Sequence, residues 1–339
     1  MSRQDRSSQP TIRTARPGDV EGLASLWNAC CRGPGAPLYQ QLSESRFSGL
    51  FLHSGEDFES VSLVAEEGGS PFGFANGTVR PGAEQAYITT LLVAVNARRR
   101  GVGTRLLTAL EETLLHRPAA ASVNRFEIVF FNPITITWII PGSDGHDHPN
   151  TPGVDVATGG YLFFKNRGYR DFAYQNSYYL PLSAYQRPAN IEEILSRLGE
   201  AGMRVCRYEA DRHTGLDELF DDLGSEDWQS IVTANFAPGG AQEPVLIVED
   251  GNRVCGFAGP LHVQDSGRGY FAGIGVHSAY RGRGAAKALF SGLCSELKEM
   301  GAEFMSLFTG ETNPARNIYE AAGFKIVRTW ADMRKEIRR

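Results

Sequence analysis

Two short segments of the chain combine arginine with glycine in a pattern that could bind an anion. The first, ARRRGVGTR, carries Arg98, and the second, AYRGRGAAK, carries Arg281. In each copy an apolar run ends at a valine shortly before the arginine, and an amphipathic helical pattern follows the glycines. The first backbone N–H groups of a helix lack partners within the helix and lie at the positive end of its dipole, so they attract phosphate groups. The spacing therefore predicts a phosphate or pyrophosphate site in each half of the chain.

Other phosphate-binding loops match neither segment. The dinucleotide fingerprint G-x-G-x-x-G fails because Gly282 and Gly284 are followed by Lys287 where the third glycine belongs, and the first copy has Leu106 there. The P-loop pattern G-x-x-x-x-G-K-[ST] is absent from both segments. For one copy alone, a solvated basic turn beside a core helix is an equally good interpretation. Two copies after matching apolar runs favour a ligand site.

A tyrosine in the segment ETNPARNIYEAAGF is the candidate proton donor. Asn313 suits the N-cap of a helix, Pro314 suits its first position and Gly323 suits its end. Tyr319 then lies on the same helix face as Ala315. A phenol is protonated at neutral pH and can donate its proton to a leaving group. The alternative interpretation of Tyr319 is a half-buried aromatic on a packing face.

The elements around the two segments occur twice in the same order. VSLVAEEGGSPFGFANGTV and PVLIVEDGNRVCGFAGPLHV each predict a β-hairpin, and each hairpin precedes the strand, the arginine–glycine loop and the helix. We therefore predict an α+β fold, a mixed sheet with helices on both sides, present twice in tandem. The predicted domains span residues 10–182, with an insert at about 132–160, and residues 203–339. Residues 183–202 form a linker with a short helix.

Composition excludes several classes of partner. The formal net charge of the 339 residues is -5, which gives no electrostatic reason to bind nucleic acid or an anionic membrane. No apolar run is long enough to span a membrane, and the first residues lack the apolar core of a signal peptide. The five cysteines lack C-x-x-C spacing, which favours reduced thiols. We predict a cytoplasmic chain with neither a nucleic-acid nor a membrane partner.

Taken together, the two motifs resemble a known family. R-x-x-G-x-[GA] after an apolar strand is similar to the acetyl-CoA pyrophosphate loop of the GNAT N-acetyltransferase superfamily, and N-x-x-x-x-x-Y-x-x-x-G-F from Asn313 resembles the family's final helix. The resemblance implies two tandem GNAT folds and acetyl-CoA as co-substrate. It also implies direct attack of an amine on the thioester, with Tyr319 as the general acid that protonates the CoA thiolate.

The resemblance also implies a cofactor site in each copy. In the second copy the end of the strand would pair with pantetheine, and a backbone N–H near Val276 would hydrogen-bond the thioester carbonyl. Gly273 and Gly275 would leave room for the ligand to approach the backbone. The implied cofactor-binding residues are Ile274, Gly275, Val276, Arg281, Gly282, Arg283, Gly284, Ala285, Ala286, Lys287 and Asn313 in the second copy, and Leu91, Val93, Arg98, Arg99, Arg100, Gly101, Val102, Gly103 and Thr104 in the first.

The first copy departs from the family pattern in its last helix. Alignment of the helix-ending glycines, Gly168 and Gly323, places Phe164 opposite Tyr319, and phenylalanine cannot donate a proton. Tyr161, one turn earlier, is the candidate substitute. The first copy is therefore expected to bind a CoA-type nucleotide, whereas the proton donor for catalysis is expected in the second copy.

The insert of the first copy is rich in histidine, aspartate, proline and glycine. His146 and His148 match neither a helical pair nor a usual zinc spacing, so no metal site is predicted. We expect instead a turn-rich loop that shapes or covers a cleft. The residues of the insert that could supply oxygen or nitrogen ligands to a metal are Asp144, His146, Asp147, His148 and Asp155.

The sequence thus predicts an acetyl-CoA-dependent N-acetyltransferase that acts on a small-molecule amine, with the C-terminal domain catalytic. The alternative is a CoA-binding sensor or scaffold without turnover, which Phe164 favours for the first half. The general base is not singled out, although Glu311 and His262 are candidates.

Overall fold

The computed structural model describes residues 11–31, 38–130 and 132–337. The predicted start of the first domain, residue 10, lies outside the described residues. Within these ranges, no helix is both long enough and apolar enough to cross a membrane.

The chain divides into two units. Unit 1 comprises Met1–Asn176 together with Arg328–Arg339, and unit 2 comprises Ser177–Val327. The sequence-based division places residues 328–339 in the C-terminal domain, whereas their contacts group them with unit 1. As a division of the sequence into two repeats, the boundaries at residues 182 and 203 stay a prediction.

Unit 1 is built on a sheet that begins as an antiparallel meander and then continues through a parallel neighbour. Its elements are β1 (Thr11–Thr14), α1 (Val20–Cys30), α2 (Glu44–Phe51), β2 (Glu59–Glu67), β3 (Ser70–Val79), β4 (Gln85–Val93), α3 (Val102–Leu115), β5 (Arg125–Ile128), β6 (Trp138–Ile139), β7 (Asp147–His148), β8 (Val154–Asp155), α4 (Gly159–Lys165) and the start of β9 (Arg170–Pro181).

The strand order in unit 1 is β1-β2-β3-β4-β5. Strands β4 and β5 are parallel but pair only from Gln85 to Tyr87, so the rest of β4 lacks its neighbour. The chain's last strand, β15 (Lys325–Glu336), pairs antiparallel with β5 through its final residues. It also pairs with β8 at Trp330 and Ala331. Gly153 is required beside this contact, because a Cβ there would lie 2.6 Å from the carbonyl oxygen of Ala331.

Unit 2 repeats the same order of elements. These are the end of β9, α5 (Ile191–Glu200), β10 (Met203–Arg207), α6 (Leu216–Leu223), α7 (Glu226–Phe236), β11 (Leu246–Asp250), β12 (Arg253–Val263), β13 (Arg268–Val276), α8 (Ala285–Glu299), β14 (Phe304–Gly310), α9 (Arg316–Ala321) and the start of β15.

The strand order in unit 2 is β10-β11-β12-β13-β14, with β9 beside β14. Here the parallel pair is β13 and β14, and its register is confined to Arg268 and Gly269. Both units therefore contain a strand, β4 or β13, that separates from its parallel neighbour before it reaches its arginine–glycine loop. Both strands end at the predicted valines, Val93 and Val276.

The predicted fold class is confirmed: a mixed α/β sheet with helices is present in two tandem units. Each unit has an apolar core between sheet and helices, and the apolar faces of α3 and α8 are buried there. The helix predicted to start at Asn313 begins later, at Arg316, although the Asn313 side chain accepts a hydrogen bond from the Ala315 backbone N–H at 3.0 Å.

Candidate functional site

A cavity of about 830 Å³ opens in unit 1 where β4 separates from β5. Its walls include the end of β4 that no longer pairs with β5, and the start of α3. Helix α4, the insert after β5 and the unit 1 part of β15 complete them. This volume lies in the range of pockets that enclose a small molecule. The insert lines the cavity with Trp138 and with residues 150–155, as expected of a loop that shapes a cleft.

One end of the cavity has the features of an anion site. Gly101 is the N-cap of α3 with φ 80°, a left-handed conformation that favours glycine, and Arg99 is also left-handed with φ 63°. The Arg98 Nε donates to the Val93 carbonyl oxygen at 2.9 Å, which fixes the loop to the end of β4. Arg98, Arg99 and the start of α3 all line the cavity.

A further cation comes from the turn after α4. Arg167 donates to Thr104 Oγ1 from Nη2 at 2.6 Å and from Nε at 3.1 Å, which ties this turn to the first turn of α3. Its guanidinium also lies over the Phe163 ring, 5.2 Å from the centroid. Three arginines therefore face the part of the cavity beside the start of α3.

Another part of the cavity is aromatic and mostly uncharged. Trp138 and Trp330 have ring centroids 5.0 Å apart, and Tyr39 forms a backbone bridge with Trp138. Asn132 is fixed by Thr89, to whose Oγ1 its amide donates at 3.0 Å. Aromatic rings with a few fixed polar groups are typical of a site that binds an organic acceptor.

Tyr161, the expected substitute for the missing tyrosine of the first copy, does not line the cavity. Phe164 lines the cavity, but the Tyr161 hydroxyl donates to Asp171 at 2.7 Å and Tyr161 is not among the lining residues. The tyrosine that does line the cavity is Tyr39. Burial, with smaller contributions from Cys31 and Asp155, raises the pKa of Tyr39, so its phenol stays protonated.

Sequence reasoning missed Tyr39, Arg328 and Trp330 as site residues. The two β15 residues follow the insert by more than a domain length in sequence, and no local pattern relates them to the first arginine–glycine loop. Asp155 drew attention only as a possible metal ligand. In the structure its Oδ2 lies 3.4 Å from the Arg328 Nε.

The loop of unit 2 has the same backbone design. Gly284 is the left-handed N-cap of α8 with φ 87°, and the Arg281 Nε donates to the Val276 carbonyl oxygen at 3.0 Å. The repeated arginine thus has the same bracing bond in both units. The two arginine–glycine loops therefore have the same backbone conformation at the start of the helix.

The groove beside that second loop is filled by the linker. Residues 188–194 lie between α8 and α9, where Ile191 and Ile194 are each 3% exposed. A Cβ on Gly284 would lie 2.8 Å from the Ile194 Cγ2. The cavity that remains there is about 20 Å³, no more than a single water molecule needs.

The two grooves occupy equivalent places in the repeat. Alignment of the motif arginines and the helix-ending glycines pairs Thr104 with Lys287, and Arg167 with Ala322. Thr104 and Arg167 line the 830 Å³ cavity, and Lys287 and Ala322 line the 20 Å³ cavity. The place that is open in unit 1 is therefore covered by residues 188–194 in unit 2.

Tyr319 lies in the core of unit 2. It is 8% exposed, and its ring centroid is 5.0 Å from that of Phe290 and 5.9 Å from that of Tyr178. Burial raises the pKa of Tyr319. Its phenol is thus kept protonated, as an acid must be, but in surroundings of packed rings.

Side chains of unit 2 pack closely against the glycines of β13, where the sequence predicted room for a ligand. A Cβ on Gly273 would lie 2.6 Å from the indole of Trp228, and one on Gly275 would lie 2.6 Å from the Leu223 side chain. Helices α6 and α7 therefore fill the space above the end of this strand. The sequence did not predict these neighbours, because nothing local shows which side chains cover a glycine, and cofactor binding at Gly275 stays a prediction.

A group of possible metal ligands in unit 2 is an ion-pair network. Cys206, His213 and Glu249 lie close together, with 2.7 Å between His213 Nε2 and Glu249 Oε2. Both oxygens of Glu249 are also hydrogen-bonded to guanidinium groups, from Arg204 and Arg212. Two arginines would repel a metal cation, so this cluster supports no metal site.

The Glu249 network predicts acid sensitivity of folding. Burial raises the pKa of Glu249, but hydrogen bonds from Arg204, His213 and Arg212 outweigh it and lower the pKa to about 2, from 4.5. Because the folded pKa lies below the unfolded one, the stabilisation is complete above about pH 4.5 and disappears as the pH falls towards 2. We expect the free energy of unfolding, measured by urea titration, to fall across this interval.

A matched pair of variants isolates this contribution. The pH dependence should become shallower in Glu249→Gln and stay unchanged in Glu299→Gln, which alters an exposed glutamate at the end of α8. Equal slopes in all three proteins would contradict the assignment.

One family model matches both halves of the chain. The model of the acetyltransferase (GNAT) family matches residues 21–132 and, separately, residues 208–324. No curated protein matches the sequence.

Several solved structures share the fold. The glucosamine N-acetyltransferase region of a fungal multi-domain GH3 β-N-acetylglucosaminidase is 16% identical, with a TM-score of 0.66 over 97% of this chain and 38% of that one. A GCN5-related N-acetyltransferase from Sphaerobacter thermophilus is 21% identical, with a TM-score of 0.59 over 98% of this chain and 97% of that one. A tandem GNAT protein of the clavulanic acid biosynthesis pathway is 15% identical, with a TM-score of 0.58 over 97% of this chain and 98% of that one.

Proposed function

Because the chain belongs to the acetyltransferase (GNAT) family, we propose that it transfers the acetyl group of acetyl-CoA to the amine of a small molecule, and that the transfer takes place in the cavity of unit 1. One observation carries this proposal. One cavity of about 830 Å³ is lined by an arginine–glycine loop, by the end of β4 that lacks its β5 neighbour and by an aromatic wall. The corresponding groove of unit 2 is filled by the chain's own linker.

The residues of unit 1 provide the backbone and cationic groups that acetyl-CoA would need. The backbone of Leu91 and Val93 would pair with pantetheine, since this part of β4 is paired with β3 on one side and has no strand on the side of β5. The loop from Arg98 to Thr104, with Arg167, would hold the pyrophosphate. The amine would then meet the thioester at the β4 end of the aromatic wall.

The reaction needs three proton transfers. The acceptor ammonium gives one proton to solvent or a base, and the resulting amine attacks the thioester carbonyl carbon. As the C–S bond breaks, the nitrogen gives its second proton to solvent, and the CoA thiolate takes up a proton from an acid that solvent then reprotonates. We assign the role of this acid to Tyr39, because it lines the cavity as a phenol and Phe164 stands where the family has its tyrosine.

Tyr319 as the general acid stays a prediction from the family motif. Its support is the N-x-x-x-x-x-Y-x-x-x-G-F spacing and the raised pKa of the buried phenol. Transfer in unit 2 would require residues 188–194 to leave the groove between α8 and α9, with burial of Ile191 and Ile194 lost. For this reason we place the reaction in unit 1. The cytoplasmic location likewise stays a prediction.

A CoA-binding protein without turnover is the second candidate, since Phe164 replaces the tyrosine in the open site. The two candidates differ in one measurement. A transferase releases CoA thiol only when a suitable amine is present, whereas a sensor binds acetyl-CoA and leaves it intact.

The single open groove predicts the number of cofactors bound. Calorimetric titration with acetyl-CoA should give one molecule per chain. Within the part of the chain that the structure describes, the loop of unit 1 borders a cavity of about 830 Å³, whereas about 20 Å³ remains in the groove beside the loop of unit 2. Arg98→Glu should abolish this binding, and Arg281→Glu should leave the stoichiometry unchanged. Two molecules per chain, or binding lost only in Arg281→Glu, would contradict the assignment to unit 1.

A further inference from the structure

The cavity of unit 1 is also lined by an acid–base pair, Asp155 and Arg328. Asp155 ends β8, Arg328 precedes Trp330 on β15, and their Oδ2 and Nε atoms lie 3.4 Å apart. The Arg328 Nε is inaccessible to solvent and has no hydrogen-bond partner. The pair is therefore held close without a hydrogen bond through Nε.

The partners of Asp155 leave the pair incompletely satisfied. Its Oδ1 accepts from the Ala157 backbone N–H at 2.8 Å, which holds the turn before α4. Among the described residues, its Oδ2 has the 3.4 Å contact with the Arg328 Nε and no shorter one. Both side chains keep some exposure, 15% for Asp155 and 26% for Arg328. Because the Arg328 Nε is inaccessible, a ligand would meet this guanidinium at its terminal nitrogens and would meet Asp155 at Oδ2.

The charges along the cavity separate into two sets. Arg98, Arg99 and Arg167 lie at the loop and are accounted for by phosphate groups. Arg328 belongs to the aromatic wall, and Asp155 is the one carboxylate among the described residues that line the cavity. An arginine in an aromatic pocket is suited to a planar carboxylate, which it binds with two parallel hydrogen bonds.

We propose that the acceptor is an α-amino acid, or an amine with a carboxylate on the adjacent carbon, whose carboxylate binds Arg328 and whose ammonium binds Asp155. This inference rests on the proposed function and names its substrate class. The two charges of such a zwitterion are a few ångströms apart, as are those of the Asp155–Arg328 pair. The rings of Tyr39, Trp138 and Trp330 then favour an apolar or aromatic side chain.

Matched acceptors test the carboxylate directly. We would compare L-phenylalanine and L-leucine with their carboxamides, using release of CoA thiol from acetyl-CoA. The amides hold their amine proton less tightly and would react faster without specific recognition. We expect the acids to be preferred by at least about tenfold in kcat/KM, with the difference in KM. Arg328→Gln should remove the preference, and Arg328→Lys should restore part of it.

The control is an arginine of the same strand outside the cavity. Arg334 lies on the Phe172 ring, 3.8 Å from its centroid, and Arg334→Gln should leave the preference intact. Product binding supplies a readout that needs no turnover. N-acetyl-L-phenylalanine should bind the wild-type protein with CoA at least about tenfold more tightly than its amide, and Arg328→Gln should abolish that difference.

The outcomes separate the two proposals. Equal use and equal binding of acids and amides, or a preference that survives in Arg328→Gln, would overturn the acceptor class while transfer itself stands. Failure of acetyl-CoA to bind in unit 1 would overturn the proposed function, and the product-binding comparison would still decide the role of Arg328.

Discussion

Replacement of Gly103 by aspartate is expected to weaken acetyl-CoA binding by at least about 100-fold without lowering the melting temperature. Gly103 lies in the first turn of α3 outside the left-handed region, and the nearest atom to an added Cβ would be in the Phe163 ring at 3.5 Å. The side chain therefore fits without strain. A carboxylate in the first turn stabilises a helix, but it also repels the phosphates that the same N–H groups would bind.

The second unit supplies a matched control for this variant. Ala286 is the equivalent residue at the start of α8, in the loop whose groove is filled by residues 188–194. Ala286→Asp should leave the affinity for acetyl-CoA within about twofold of the wild type, a difference far below the 1.4 kcal/mol of a tenfold change. Calorimetry gives the affinity, and thermal denaturation shows that both variants are folded. If Ala286→Asp abolished binding and Gly103→Asp did not, the cofactor site would belong to unit 2.

Local patterns in the sequence predicted the framework of both loops. Short-range spacing placed the two valines that end β4 and β13, the glycines of the loops and the helices that follow them. The left-handed conformation of Gly101 and Gly284 and the bonds from Arg98 and Arg281 to the valine carbonyls came from the structure. Glycine tolerates positive φ and helices begin where N–H groups are free, so a few residues define such a loop. The repeat then extended the prediction from one unit to the other.

The choice between the two sites depended on contacts that spacing does not encode. Residues 188–194 were predicted as linker, and nothing in their sequence shows that Ile191 and Ile194 are buried against α8. Arg328 and Trp330 enter the unit 1 cavity from the last strand of the chain. These positions are set by tertiary packing between residues far apart in sequence. The segment around Tyr319 matches the family pattern better than the segment around Phe164, but its groove is the one that residues 188–194 cover.

Divergence of the repeat agrees with a division of roles. In unit 1, Thr104 and Arg167 are hydrogen-bonded across the mouth of the groove and add a cation near the loop. Their equivalents in unit 2, Lys287 and Ala322, lie against the linker instead. The residues of unit 1 suit the phosphate that we propose there, and those of unit 2 suit the apolar segment that covers them.

The two tyrosines give the sharpest test of where catalysis takes place. Tyr39→Phe should lower kcat by about 100-fold or more, because the CoA thiolate would lose its proton donor, and the affinity for acetyl-CoA should change little. Tyr319→Phe should lower kcat by less than about twofold, since the removed hydroxyl lies in the packed core of unit 2. Both variants remove one oxygen and keep the ring, so packing against Trp27 or Phe290 is retained.

The acidity of the leaving thiol distinguishes a proton donor from a packing residue. If Tyr39 is the acid, thiolate departure limits the rate in Tyr39→Phe, and acetyl donors with a more acidic thiol should recover part of the lost activity. A residue that only packs would respond equally to every donor. A 100-fold loss in Tyr319→Phe with Tyr39→Phe unaffected would instead place the chemistry in unit 2. The linker would then have to leave the α8–α9 groove in every catalytic cycle, and Ile194→Ser, which weakens its packing, would raise kcat rather than leave it unchanged.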